Sequence, residues 1–136
     1  MDLNDLKPVK ADEGATLQIL HPETEEPIDG MTIMLLGHDS AVYRKMQLNK
    51  QQAILNRMAK GKKAAELDAE KLNSDVIDEL TKLTISWTGF KLDGKELKPT
   101  PENIKNVYSE WAWIKDQAQE FVSNRANFFR GDDSAA

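Results

Sequence analysis

Cysteine is absent from the 136 residues. That removes disulfide scaffolds, thiol catalysis, zinc ribbons and iron–sulfur clusters in one step. Histidine is nearly absent too: only His21 and His38 occur, and neither has a carboxylate at metal-ligand spacing. No apolar run is long enough to cross a bilayer, and mean hydropathy is low at -0.59, so no membrane-spanning helix is expected. The start, Met1-Asp2-Leu3-Asn4-Asp5, lacks a basic stretch followed by an apolar one, so no secretory signal is expected either. Nucleophile-elbow, P-loop and dinucleotide-binding glycine patterns are all missing. The carboxylates Glu66, Asp68, Glu70, Asp75, Asp78 and Glu79 fall on what read as solvated helix faces. The expectation is a protein that is not an enzyme and carries no metal or cofactor.

What is there fits one domain. Residues 1–14 are polar and acidic and read as a flexible arm, residues 15–130 as the domain, and residues 131–136 as a disordered tail. Ala15 to Leu20 alternates Leu17 and Ile19 against Thr16 and Gln18, which is strand spacing. Pro22, Pro27, Asp29 and Gly30 then break the chain, and a second strand follows over Met31 to Leu36. Two strands so close in sequence form an antiparallel hairpin, which needs helices or a second chain to cover it. Asp39 or Ser40 can cap a helix running to Ala59, with Ala41, Leu48, Leu55 and Ala59 on one face. Another helix is expected between about 64 and 84, with Leu72, Val76, Leu80 and Leu83 as its stripe. Trp87-Thr88-Gly89-Phe90 and Asp93-Gly94 read as loop and turn. Thr100-Pro101-Glu102 is a strong helix start, and Ile104, Val107, Tyr108, Trp111, Ala118, Phe121 and Val122 continue as one helix or two broken near Ser109. The fold class is α+β: an N-terminal antiparallel hairpin packed with three or four helices.

Charge and aromatics are both unevenly placed. The formal net charge is -5, yet Ser40 to Ala65 holds no acid and seven bases: Arg44, Lys45, Lys50, Arg57, Lys60, Lys62 and Lys63. A basic helix on an acidic chain points to an anionic partner or to a match with acidic surface on its own chain or on another copy, the latter head to tail. Arg44, Lys45, Arg57, Lys60, Lys62 and Lys63 are therefore the candidates for self-association. Nucleic acid is the alternative partner for helix 40–65. It is disfavoured because Tyr43 is the lone aromatic there and the overall pI is near 5.1. The other aromatics lie between Trp87 and Phe129. Trp111 continues the apolar stripe and is expected in the core. Trp113 falls about 200° away on a helical wheel and is expected to face a partner. Trp87, Phe90, Trp113, Phe128 and Phe129 are the candidates for partner binding.

The segment from Leu80 to Phe129 carries Ile85-Ser86-Trp87-Thr88-Gly89-Phe90, the Asp93-Gly94 turn, Leu97-Lys98-Pro99-Thr100-Pro101-Glu102-Asn103, Trp113-Ile114, Phe121-Val122 and Asn124-Arg125-Ala126-Asn127-Phe128. These motifs, with Gly37-His38-Asp39-Ser40 and Asn56-Arg57 upstream, resemble the tail assembly chaperones of long-tailed bacteriophages. The resemblance implies a non-enzymatic late protein of viral morphogenesis. Such a protein binds the tape measure protein, helps tail tube subunits assemble around it, works in the host cell cytoplasm and is absent from the mature virion. It also implies a possible longer form, made by frameshifting near the end of the reading frame. Trp87, Gly89, Phe90, Glu102, Asn103, Asn127 and Phe128 are its motif positions. A nucleic-acid-binding protein and a structural tail component are the alternative readings.

Overall fold

In the computed structural model, residues 2–61 and 69–129 are described. The strand spacing at the start of the domain produces β1 (Ala15–Leu20), which pairs antiparallel with β2 (Pro27–Leu35). The loop between them is shorter than the prolines imply, because Pro27 pairs with Leu20 across a break in register. The Gln18 amide occupies that break, donating to the carbonyls of Ile28 and Met31. These bonds satisfy groups that the interrupted ladder would leave unpaired.

A third strand, β3 (Thr84–Thr88), pairs antiparallel with the other edge of β2, giving the order β1-β2-β3. The sequence reading placed Trp87 and Thr88 in a loop. Instead Trp87 sits opposite Ile33 and Thr88 opposite Thr32, whose hydroxyls lie 2.7 Å apart. Thr-Ile-Ser-Trp-Thr is strand-forming in composition, but it follows a helix without any intervening residue, which hides the switch of period. A small second hairpin, β4 (Lys91–Leu92) and β5 (Lys95–Glu96), turns on Asp93 and Gly94 with both in the left-handed region. That is the backbone a two-residue hairpin loop demands.

The helices are α1 (Lys10–Glu13), α2 (Ala41–Ala59), α3 (Ala69–Leu83), α4 (Pro101–Glu110) and α5 (Ala112–Ser123). The fold is thus mixed α+β, with the hairpin enlarged to a sheet. Ser40 caps α2 by accepting from the Tyr43 amide, and Thr100 caps α4 by accepting from the Asn103 amide. The helix break falls at Trp111, whose φ of -114° and ψ of 79° leave helical space. One sheet face carries Ile19, Ile33, Leu35 and Trp87 into a core completed by Leu80, Leu83, Val107, Tyr108, Ile114, Ala118 and Val122. The exposed edge of β1 is tied to α5 by Gln117, whose side chain both accepts from and donates to the Leu20 backbone.

The N-terminal segment, expected as a flexible arm, is tied down. Ala11 and Ala15 pack with Phe128, the Gly37 amide donates to Ala11, and Asp12 accepts from the Ala41 amide at the start of α2. A carboxylate at a helix N-terminus meets free amides and the positive end of the dipole. The expected tail over 131–136, the first part of the expected helix over 64–68, and Lys62 and Lys63 lie outside the described residues.

One buried polar contact links α3, β3 and α4. Thr84 Oγ1 donates to the Leu80 carbonyl and lies 2.7 Å from the Tyr108 hydroxyl, so Tyr108 supplies the proton of that second bond. Burial pushes the Tyr108 phenol up to about 12 from 10.0. Because the folded state holds the neutral phenol, this contribution is complete below pH 10 and is lost as pH rises towards 12. The expected loss is ~2–3 kcal/mol. Urea unfolding across that window should therefore fall more steeply for the native chain than for Tyr108→Phe, and parallel curves would assign the loss to other groups.

Candidate partner-binding site

The break at Trp111 positions the most exposed tryptophan of the chain. Leaving the helix there turns the indole out of the core stripe that Ile104, Val107 and Tyr108 continue, and Trp111 is 36% exposed. Trp113, restarting the helix as the second residue of α5, packs half-buried against the core. The expected roles of the two tryptophans are therefore reversed. A helical wheel assumes one uninterrupted helix, and a single non-helical residue between them re-aims both rings.

Together they wall a shallow pocket of about 130 Å³ whose other sides are Met31, Phe90, Leu92 and Leu97. Phe90 is buried and stacks on Trp87 with centroids 4.4 Å apart and planes 10° apart. Trp87 is itself buried and donates from its indole to the Leu97 carbonyl at 2.7 Å. Three of the five aromatic candidates thus meet here, but in different roles. Trp113 lines the pocket, Phe90 forms its floor, and Trp87 lies beneath Phe90 with no free face to offer. Phe128 and Phe129 are elsewhere. Phe128 is 1% exposed, edge-to-face with Phe121 at 5.3 Å, and closes the small core under the N-terminal segment. Phe129 is partly exposed in a groove shared with Leu6, Val9 and Arg125. Burial at Trp87 and Phe128 makes them supports of the fold rather than contact surface.

Two other motif positions, Asn103 and Asn127, have structural partners. Asn103 donates its side-chain amide to the Lys98 carbonyl, and Asn127 donates to the Phe121 carbonyl. Met31, Leu92, Leu97 and Trp111 were missed as site residues. The Asp93-Gly94 dipeptide was the available signal for Leu92 and Leu97, since a hairpin on that turn folds both back over Phe90.

The basic candidates Arg44, Lys45, Arg57 and Lys60 are all exposed on or at the end of α2. The one local aromatic, Tyr43, is half-buried and stacks on His38 at 4.0 Å, so it offers no platform to a base. Desolvation holds the His38 imidazole below its ordinary value despite the pull of Glu79 and Asp39. Among the described residues there is no cluster of three or more side chains able to hold a metal ion, and no helix is long and apolar enough to cross a membrane. No family model, curated protein or solved structure matches the chain.

Proposed function

We propose that the protein is a tail assembly chaperone of a long-tailed bacteriophage, acting without catalysis. In this reading it binds the tape measure protein in the host cytoplasm, keeps it soluble, helps recruit tail tube subunits, and leaves before the virion is complete. The pocket walled by Trp111 and Trp113 carries the reading. A small apolar cleft beside an exposed indole is suited to gripping single apolar side chains of a helix-rich partner. Tryptophan at such a position is the kind of residue that dominates a protein contact.

Co-expression tests it. The large helical tail protein encoded nearby should be recovered soluble with this chain and not without it. Unchanged solubility would remove the main support. Trp111→Ala refines the test. With Trp111 36% exposed, the substitution should cost ~1–3 kcal/mol of stability, yet weaken capture of the tape measure protein by the folded variant roughly thirtyfold, the equivalent of a ~2 kcal/mol hot spot. Trp113→Ala should cost more stability, because its ring packs against the core. Equal melting of both variants with unchanged capture would take the pocket out of the argument.

A further inference from the structure

The longest helix among the described residues, α2, has no fully buried residue, and every position from Leu48 to Lys60 is exposed. Leu48 is 65% exposed, Leu55 58% and Met58 58%, with Ile54 beside them. Their spacings of seven, three and four put them on one stripe. The first turns do meet the body, through partly buried Tyr43 and Met46 and through Lys50, which pairs with Glu79 of α3 at 3.2 Å. Beyond Lys50 every described position of α2 is exposed. Nine residues of helix, 51–59, carrying Ile54, Leu55 and Met58 into water are marginal without something to pack on.

The neighbouring helix repeats the pattern with the opposite charge. Residues 69–74 of α3 are all exposed, and Leu72, expected to share the core stripe with Val76, Leu80 and Leu83, is 47% exposed. As numbering rises along α2 it falls along α3: ahead of α2 the Leu36 amide donates to the Leu83 carbonyl at the end of α3, and further on Lys50 pairs with Glu79. The distal halves of the two helices therefore project at the same end of the molecule. Over its 19 residues α2 has bases and no acid, while α3 carries Glu70, Asp75, Asp78 and Glu79 against Lys71 and Lys82.

We propose that a second copy of this chain covers the projection, with the two α2–α3 pairs meeting about a two-fold axis so that α2 of each copy lies along α3 of the other. This deepens the self-association expected of the basic helix, and it rests on the pairing of two helices rather than on the tail-assembly reading. Because basic and acidic helices lie side by side in one protomer, a two-fold partner answers both at once. An arrangement of this kind closes as a dimer instead of running on head to tail. The apolar stripe with Leu72 becomes the seam, and the charges fix which helix meets which. A partner helix of one charge would satisfy α2 or α3 but not both.

Charge exchange between two variants tests this without any other protein present. The first variant carries Arg57→Glu and Lys60→Glu, the second Glu70→Lys and Ser74→Lys, all at exposed positions. By sedimentation equilibrium the native chain should dimerise, and each variant alone should dimerise at least about tenfold more weakly. Mixed together the two should recover a heterodimer, since each then meets opposite charge on both helices. Hydrogen exchange across residues 48–59 should slow as the native chain is concentrated, and should not slow in either variant alone. A native chain that stays monomeric would overturn the proposal. So would variants that dimerise as well as the native chain, a mixture that fails to associate, or a monomer whose basic helix is protected only by added DNA. None of these outcomes touches the co-expression result, so the two readings fail separately.

Discussion

Trp87→Ala is expected to remove ~3–5 kcal/mol of stability, the range for emptying a large aromatic site. Three losses coincide there. The indole leaves the core face of β3 opposite Ile33, Phe90 loses the ring it stacks on, and the Leu97 carbonyl loses its donor. A domain whose whole stability is ~5–15 kcal/mol would be left marginal by that. Trp87→Phe separates the parts, because it keeps a ring against Phe90 while giving up the bond to Leu97 and part of the indole's volume. It should cost markedly less than the alanine variant. Urea denaturation with unchanged slope is the measurement, and a Trp87→Ala midpoint close to the native one would show that Trp87 is not a core residue. The same variant should also blunt partner capture, since the floor of the pocket rests on this ring.

Gly89→Ala is expected to cost ~2–5 kcal/mol, and Gly94→Ala only ~1–2 kcal/mol, although both glycines are left-handed, at φ 77° and 79°. The difference lies in what a methyl group would meet. At Gly94 there is open space. At Gly89 it would run into the backbone of Gly30 and Met31, where β2 passes alongside the end of β3. Strain in φ is common to the pair, so the gap between them measures the close approach of the two strands. Thermal melts of the two variants side by side decide it, and equal costs would mean that β2 yields at no expense. The tryptophan-glycine motif thus has an explanation in packing: the tryptophan fills the core face of β3, and the glycine lets the chain turn off the strand against Gly30.

These two residues, with Phe128 and the paired asparagines, account for much of the motif pattern through folding alone. Phe128 and Ala11 join the last described turn to the first, and Arg125 reaches Asp39 at 2.7 Å. That ion pair is exposed and screened, so it contributes little beside the apolar contact. What remains for a partner is the surface the motifs frame: Trp111 at the helix break, Trp113 beside it, and Leu92 on the hairpin above.

By itself the sequence determined the elements whose signals are local. Thr100-Pro101-Glu102 starts α4 because a hydroxyl cap, a residue without an amide donor and an acidic first turn each satisfy the same helix end. Ser40 starts α2 in the same way, and the alternation in Ala15–Leu20 makes a strand because period two places Ile19 on one face. The mixed fold class followed from these. The tertiary structure decided what depends on distant partners. Thr84–Thr88 is a strand because the free edge of β2 lies alongside to pair with it, and no nearby residue records that edge. The order of Trp111 and Trp113, core against surface, turned on one residue leaving helical space, which reverses a wheel drawn through it. For Leu48 and Leu55 of α2, spacing reports only that they share a face. Whether that face is covered depends on what packs against it, and here the described positions from 48 to 60 are all exposed.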